Sequence, residues 1–320
     1  MSPELKLGTT PWRFDDLSAQ GVGRQAQRAE TLGYESFWLP ENHFNEQALP
    51  DPLMLLAACS ALTERIRLGT TSYLLTIRNA LQAAEQVAVL DQLSRGRVVL
   101  GVGRGFAPAM LGAFKVSVKD KRRIFEDCLN EMILAWSGAP MKVNSADAPD
   151  RVVGEVALGP RPVQDPHPPL WVAAFGPKAL AQAGRLGLPY LASPMETYAE
   201  LADNLNLYRE SYAATWSQAG GAPAQQSIVP VMRSIFICDH APTLERVREG
   251  LAGLRRRPDS EATVPADDWA LLGDRAQVAD EIARYRETLG ITHLIASRPR
   301  VPGLSAKLLD ASLEALAGLR

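Results

Sequence analysis

Short apolar segments alternate with stretches of helical periodicity along the chain, and this alternation constrains the fold more than any other feature. Eight segments are predicted as strands: Leu5–Thr9, Ser36–Pro40, Ile66–Thr71, Val98–Val102, Leu170–Ala174, Tyr190–Ala192, Ile228–Cys238 and Thr292–Ala296. Between them, apolar residues recur at helical spacing, as at Val278, Ile282, Tyr285 and Leu289. Strands alternating with helices are typical of βαβ units and a parallel sheet. The sequence therefore predicts an α/β fold.

Eight strands with intervening helices favour closure into a (β/α)8 TIM barrel. The alternative is an open doubly wound sheet, which more commonly uses about five to seven strands. The 320 residues, 46% of them hydrophobic, suffice for one large core, so we expect a single domain over residues 1–320. Residues 138–169 and 255–272 break the rhythm. We interpret them as insertion segments at the C-terminal mouth of the barrel, where long loops often act as lids.

Composition excludes several classes of partner. The net charge is −2 and no long run of like charges occurs, which argues against a nucleic-acid partner. No stretch approaches the ~18 apolar residues that a membrane span needs. The three cysteines lie far apart in apolar stretches, which is typical of reduced, buried thiols. We therefore expect a cytoplasmic protein.

Polar residues follow the predicted strands, at the end of a barrel where catalytic residues lie. These positions are Thr9-Thr10, Glu41-Asn42-His43-Phe44, Thr70-Thr71-Ser72, Gly103-Arg104-Gly105, Ala174-Phe175-Gly176, Ser193 and Arg298. His43 is one of four histidines and the one that directly follows a strand, where a proton donor or acceptor is most useful. A loop histidine that caps a helix is the alternative. Metal-binding patterns such as HExxH are missing, so no metal site is expected.

Two further motifs suggest contacts with a ligand. The segment Gly101–Gly105 is not a dinucleotide fingerprint, because Phe106 stands where its third glycine would be and Pro108 follows in place of a helix. Its glycines would let the backbone approach a flat ligand, leaving Arg104 to meet a phosphate or carboxylate. The segment Phe175–Lys178 opens a helix, whose exposed amides suit a phosphate. An ordinary surface arginine and a simple helix start are the alternatives.

Together these segments resemble the bacterial luciferase-like flavin monooxygenases. Gly33–Phe44 is similar to the family's GFDSxWxxEHHF segment, and Thr63–Thr70 to its TxRIRLGT. Ala84–Arg97 is similar to AExxxxLDxLSxGR, and Val99–Gly105 to xLGxGRG. Several ordered matches at the right separations are more specific than any one of them, and weaker likeness covers most of the chain.

The resemblance implies a barrel that holds reduced FMN at its mouth. By position His43 is similar to the family's histidine beside the flavin ring, and Thr71-Ser72 falls where relatives carry a non-prolyl cis peptide. The residues that would bind the cofactor are Thr71, Ser72, Gly103, Arg104, Arg123, Phe175, Gly176 and Lys178, with the two arginines meeting the phosphate. This chain departs from the family at Asn42, the first residue of the usual His-His pair, and at Gly176 and Ala179, where hydroxyl side chains are expected.

The implied activity is that of an oxidoreductase acting on paired donors with incorporation of molecular oxygen. Reduced FMN would come from a separate NAD(P)H-dependent reductase, and a small organic substrate would meet dioxygen beside it. Trp12, Phe44 and Phe106 are candidate substrate walls, although they could equally pack in the core. The alternatives are a deazaflavin-dependent oxidoreductase that transfers hydride and a non-catalytic flavin-binding protein. Relatives are commonly dimers, so a homodimer is expected.

Overall fold

A computed structural model describes residues 4–14, 16–145, 147–148, 150–217, 227–255 and 263–319. The strands are β1 Lys6–Thr9, β2 Ser36–Leu39, β3 Arg67–Thr70, β4 Tyr73–Leu74, β5 Val98–Gly103, β6 Met141–Asn144, β7 Val152–Val156, β8 Leu170–Ala173, β9 Tyr190–Leu191, β10 Pro230–Ile237, β11 Ala270–Gly273 and β12 His293–Ser297. The α-helices are α1 Ala19–Thr31, α2 Pro52–Leu62, α3 Ala80–Leu93, α4 Pro108–Ala113, α5 Lys121–Trp136, α6 Pro177–Leu186, α7 Tyr198–Trp216, α8 Ala241–Ala252, α9 Arg275–Leu289 and α10 Ala306–Ala317.

Parallel strands form one curled sheet, in the order β11-β10-β12-β1-β2-β3-β5-β8-β9, with β4 paired to β5. The first and last strands of the chain are neighbours in the sheet, since Lys6 of β1 is in register with His293 of β12. A single parallel bridge between Ala192 and Val231 links the residue after β9 to β10. All eight predicted strands overlap observed strands, and the predicted α/β fold with a parallel sheet is confirmed.

The segment 138–169 holds an antiparallel hairpin, β6–β7, and its contacts contradict the predicted position at the C-terminal mouth. It follows a helix and precedes a strand, so it is anchored where strands begin. Gln164 donates to the carbonyl of Val98, the first residue of β5, and accepts from Arg67, the first residue of β3. Asp91 also accepts hydrogen bonds from the backbone amides of Val163 and Gln164. The hairpin segment is therefore tied to the end of the sheet opposite the predicted mouth.

The second predicted insertion, 255–272, lies partly outside the described residues, which resume at 263. Its last residues form β11, a strand that the sequence did not indicate because its buried run is only four residues long. This strand pairs with the second half of β10, from Ser234 to Ile237, while the first half of β10 pairs with β12. The long strand β10 therefore serves two neighbours in succession.

Side chains from six strands form a separate apolar cluster on the concave side of the sheet: Trp38, Val99, Trp171, Leu191, Met232 and Ile295. The rings of Trp38 and Trp171 stack with centroids 4.8 Å apart. Gly69 in β3 makes room for them, because a Cβ there would lie 2.1 Å from Cε3 of Trp38. The absence of a side chain at Gly69 thus lets two large rings fill the space between the strands.

The helices pack their predicted apolar stripes against the convex side of the sheet. In α9, Val278, Ile282, Tyr285 and Leu289 are all buried, as predicted. The helix begins with a capping box between Asp274 and Gln277 and ends at a left-handed glycine, as amphipathic helices often do. Within the described residues, no helix is both long and apolar enough to cross a membrane.

Helices α2 and α3 contact each other and also expose apolar side chains. The exposed residues on these two helices include Met54, Leu62, Val89 and Leu93. Helix α2 is apolar on all sides, a composition more usual in a helix that is covered all round. We refer to these exposed apolar side chains together as the α2–α3 strip.

Candidate active site

Side-chain hydrogen bonds connect the loops that follow β2, β4, β5 and β8. The carboxylate of Glu41, after β2, accepts from the backbone amide of Leu74, the last residue of β4. The hydroxyl of Thr76 donates to the carbonyl oxygen of Arg104, after β5. The guanidinium of Arg104 in turn donates to the carbonyl oxygen of Ala173, the last residue of β8. The loops after four strands, including the predicted positions Glu41 and Arg104, therefore form one connected structure at the carboxyl ends of neighbouring strands.

His43 lies in this structure with its imidazole against a buried carboxylate. Its Nε2 is 2.9 Å from Oε1 of Glu41, and the same oxygen accepts from Nη2 of Arg78 at 2.7 Å. The Glu41 side chain is fully buried, and the His43 side chain is only 8% exposed. The guanidinium of Arg78 also lies 4.0 Å from the ring centroid of Tyr73, a cation–π contact. His43 is thus held by neighbours from two strand-end loops.

Aromatic rings surround His43 and reach the surface. Phe114 packs edge-on against the imidazole with centroids 4.9 Å apart, and Phe44 lies 5.7 Å away. Phe44 has a φ of 63°, which is uncommon for a residue with a large side chain, and it is 70% exposed. Phe106, which follows Gly105 after β5, is 87% exposed. The predicted substrate residue Phe44 is therefore adjacent to His43, whereas Phe106 is on the neighbouring loop.

The peptide bond between Thr71 and Ser72 is cis, as the family resemblance predicted. It lies directly beside Gly103, where a Cβ would be 2.0 Å from Oγ of Ser72. A Cβ at Gly101 would similarly be 2.1 Å from the carbonyl oxygen of Thr70. Close contact with the chain segment Thr70–Ser72 therefore explains both glycines, and the approach of a flat ligand to them stays a prediction.

Helix α4 begins at Pro108, so the expectation that no helix follows Gly101–Gly105 is wrong. Proline suits the first turn of a helix, where its missing N–H has no intrahelical partner. The helix has only six residues and brings Leu111 into the core. Phe114 follows directly at its end, so this short helix is what places an aromatic ring against His43.

Arg104 is only 7% exposed. Its Nε donates to the side-chain oxygen of Gln182 at 2.9 Å, and its guanidinium carbon lies 4.6 Å from the ring centroid of Phe125. Burial, together with the nearby positive charge of Arg122, lowers the pKa of Arg104 to about 10. Its Nη2 is buried and has no hydrogen-bond partner within the described residues. A buried cationic donor without a partner suits an anionic group of a ligand.

The start of helix α6 lies beside this guanidinium. Arg104 bonds to the carbonyl of Ala173, two residues before Phe175. Gly176 has a φ of 78°, no side chain caps the helix, and a Cβ at Gly176 would meet nothing within 4 Å. Phe175 is 78% exposed, and Lys178 is also exposed. The open space and the uncapped helix start fit the predicted phosphate position.

The structure does not bring Trp12 and Arg123 into this cluster. Trp12 is buried, and its indole N–H donates to Asp310 of α10 at 2.5 Å. It lines a groove of about 360 Å³ that is bounded by residues of α1 and α10. The Arg123 side chain is 68% exposed and pairs with Asp127 one turn along α5. Their roles as a substrate wall and a phosphate contact stay predictions.

The sequence assigned no role to several residues of the site, among them Glu41, Arg78 and Gln182. Gln182 is buried and connects Arg104 to Glu126 and to the carbonyl of Arg122. A glutamine within an Ala-Gln-Ala-Gly run is a usable signal, since the small neighbours allow close packing and a buried amide needs several partners. Glu41 carries a similar signal, because it directly follows a buried strand.

Comparisons with known proteins agree with this geometry. The family model described as "Luciferase-like monooxygenase" matches residues 7–293. Two uncharacterized proteins of Sinorhizobium fredii are 29% and 31% identical over 67% and 54% of this chain, and the chain spans only 60% and 53% of their lengths. An F420-dependent glucose-6-phosphate dehydrogenase of Beutenbergia cavernae is 28% identical over 85% of each chain.

Among solved structures, the FMN complex of the oxygenating constituent of 3,6-diketocamphane monooxygenase from Pseudomonas putida has a similar fold. The TM-score is 0.77 at 19% identity, over 99% of this chain and 97% of that one. At this identity the likeness speaks for the fold alone. The match of the family model over most of the sequence is the stronger finding, and it agrees with the cis peptide and the connected rim. The chain belongs to the luciferase-like monooxygenase family.

Proposed function

We propose that this protein is a flavin-dependent monooxygenase that uses reduced FMN and dioxygen to oxidise a small organic substrate. The observation that carries the proposal is the hydrogen-bonded rim, which joins the loop of His43 to Arg104 through Glu41, Leu74 and Thr76. A proton-transfer group and a cation for a phosphate are the two functions that a bound flavin mononucleotide would need from the chain.

The residues at the rim fit a phosphorylated flavin. Arg104 offers a buried donor without a protein partner, and the uncapped start of α6 at Gly176 offers an open place for an anion. Arg104, Gly176 and Lys178 would hold the phosphate, while Thr71 and Ser72 would lie beside the ring. When bound, reduced FMN supplies the electrons that activate dioxygen.

The chain's own residues would transfer protons and exclude water. His43 lies against Glu41, so its ring is fixed and can hold or give a proton beside the reacting groups. Phe44, Phe106 and Phe175 are largely exposed, and a ligand at the mouth would cover them. Aromatic walls exclude water from reactive species, which is a general need of this chemistry. A small apolar substrate is therefore expected.

Several features of the assembly are part of the same proposal. The curled sheet would close as an eight-stranded barrel in a single domain, which is supported by the bridge between Ala192 and Val231 and by the concave cluster from six strands. A homodimer would cover the α2–α3 strip. The protein would work in the cytoplasm with a separate NAD(P)H-dependent reductase.

The second candidate function is hydride transfer with a reduced deazaflavin. It is favoured by the Beutenbergia cavernae relative, whose name states F420 dependence and which matches over 85% of both chains. Both candidates use the same rim, because both cofactors are flat, phosphorylated redox rings. They differ in whether dioxygen is consumed.

The experiment supplies the purified protein with reduced FMN and dioxygen, or with reduced F420, together with a panel of small apolar substrates. Oxygen uptake coupled to substrate oxidation with FMN supports the monooxygenase, and substrate reduction with F420 supports the second candidate. Turnover with neither cofactor, despite binding, favours a non-catalytic flavin-binding protein. Failure to bind either cofactor contradicts the proposal.

A matched pair of arginine variants tests the cofactor site. Arg104→Gln removes a buried cation, whereas Arg151→Gln removes an exposed one from the hairpin segment. Hydrogen bonds to charged groups contribute about 1.5–3 kcal/mol, so we expect FMN affinity to fall roughly 10- to 100-fold in Arg104→Gln. Fluorescence titration should give Arg151→Gln the wild-type affinity. Equal affinities for both variants would remove Arg104 from the cofactor site.

A further inference from the structure

The carboxylate of Glu41 is surrounded by three groups of different kinds. Its Oε1 accepts from Arg78 Nη2 at 2.7 Å and lies 2.9 Å from His43 Nε2. Its Oε2 accepts from the backbone amide of Leu74 at 2.9 Å. The Glu41 side chain is fully buried, so no water replaces these partners. Every hydrogen bond that this carboxylate makes is therefore set by the protein.

The donors and acceptors around Glu41 indicate which ring nitrogen of His43 carries the proton. A guanidinium and a backbone amide can only donate, so both oxygens of Glu41 act as acceptors. A nitrogen at 2.9 Å from an accepting carboxylate oxygen must be the protonated one. In the neutral imidazole the proton therefore lies on Nε2, and the lone pair lies on Nδ1. Within the described residues, no protein group makes a hydrogen bond to Nδ1.

We propose that Glu41 is a positioning residue that locks neutral His43 in the Nε2–H tautomer, so that Nδ1 is the atom that exchanges protons at the site. The tautomer stands on the hydrogen bonds alone, whereas the role of Nδ1 in turnover rests on the proposed function. Phe114 packs edge-on against the ring and limits its rotation. The same carboxylate holds Leu74, two residues beyond the cis peptide, so it fixes His43 relative to that segment.

The chain contains an internal reference for the opposite tautomer. Nδ1 of His167 lies 2.8 Å from the carbonyl oxygen of Pro168. A carbonyl oxygen can only accept, so neutral His167 carries its proton on Nδ1. One spectrum of the intact protein should therefore contain both tautomers, each at an identified residue.

The test is a long-range ¹H–¹⁵N correlation spectrum of the histidine rings in the uniformly labelled full chain. It is recorded at about pH 8.5, above the ordinary imidazole pKa of about 6.5. His43→Ala and His167→Ala assign the two signals. We expect the Nε2–H form of His43 to exceed the Nδ1–H form by at least about tenfold, which corresponds to about 1.4 kcal/mol. His167 should show the reverse. A mixed or Nδ1–H state of His43 in the wild type would overturn the proposal.

Glu41→Gln tests the cause. The amide of glutamine has one accepting oxygen for three donors, so we expect the tautomer ratio of His43 to fall by about tenfold, since a bond to a charged acceptor is about twice as strong as a neutral one. Glu196→Gln is the matched control, because Glu196 is also buried but bonds to Tyr190. It should leave the ratio of His43 unchanged. An unchanged ratio in Glu41→Gln would refute the role of Glu41.

Arg78→Met is a second variant that keeps the carboxylate, and it decides the matter if Glu41→Gln does not fold. If Glu41 fixes the tautomer, His43 stays Nε2–H in Arg78→Met. A changed ratio there would assign the effect to the arginine instead.

Turnover measured on the same samples separates the two proposals. A locked tautomer without turnover on any flavin retains the inference and removes the proposed function. Turnover with a mixed tautomer removes the inference and retains the proposed function. If the inference and the proposed function both hold, kcat of Glu41→Gln should fall while its affinity for FMN stays unchanged.

Discussion

Gly69→Ala tests whether the two stacked tryptophans fill the concave side of the sheet as rigidly as the structure indicates. A Cβ at this position would lie 2.1 to 2.4 Å from three ring atoms of Trp38. Trp38 is fully buried and is stacked on Trp171, so its ring has no free space in which to move. Overpacking a core typically costs about 1–3 kcal/mol. Because three ring atoms clash at once, we expect the upper end, a loss of about 3 kcal/mol in the free energy of unfolding.

The assay is equilibrium unfolding in urea, followed by far-UV circular dichroism and by tryptophan fluorescence. Gly112→Ala is the matched control, because Gly112 lies in helix α4 and a Cβ there would meet nothing within 4 Å. Alanine is the better helix former by up to about 1 kcal/mol, so the control should be neutral or stabilising. Combining Gly69→Ala with Trp38→Leu should reduce the cost of the alanine to less than about 1 kcal/mol. If Gly69→Ala is as stable as the wild type, the packing argument fails.

Three further predictions concern stability and cysteine reactivity. Asp91→Ala removes the acceptor of two backbone amides in the hairpin segment and should cost about 2–4 kcal/mol in urea unfolding, whereas exposed Asp147→Ala should cost almost nothing. Burial lowers the pKa of His293 to about 4, so the unfolded chain binds the extra proton between about pH 6.5 and 4. The free energy of unfolding should therefore fall by up to about 3 kcal/mol as pH drops through that window. His293→Gln should weaken this dependence on pH, and an unchanged dependence would contradict the lowered pKa of His293. Burial raises the pKa of Cys128 to about 11, so at pH 8 a thiol reagent should modify half-buried Cys238 first, and equal rates would contradict this.

The positions of eight strands along the chain were predictable, because each predicted strand is an apolar run bounded by turn residues, and all eight are present. The strand at Ala270–Gly273 was not predictable in the same way, since a four-residue run does not differ from a buried loop in its pattern. The end of the sheet at which the segment 138–169 lies follows from chain order, because a segment that comes after a helix and before a strand lies where strands begin.

The site shows a similar division. Residue types at strand ends pointed to His43 and Arg104, because the carboxyl ends of parallel strands meet at one rim. The reason for the glycines at 101 and 103 could not be read from the sequence. Each one depends on how closely a neighbouring strand approaches, at Thr70 and at Ser72. Contacts of that kind involve residues about thirty positions apart and no local pattern encodes them.

The exposure of Arg123 shows where the family resemblance and the structure lead to different expectations. A phosphate contact requires a side chain that points toward the rim, whereas the Arg123 side chain is exposed and pairs with Asp127. Arg122, its neighbour on α5, acts on the pKa of Arg104 through its charge. Because successive residues of a helix point about 100° apart, only one of the two can face Arg104 in a given arrangement. The positive charge of Arg122 acts on Arg104 without any contribution from Arg123, and a cofactor that needs both Arg104 and Arg123 would have to draw Arg123 away from Asp127.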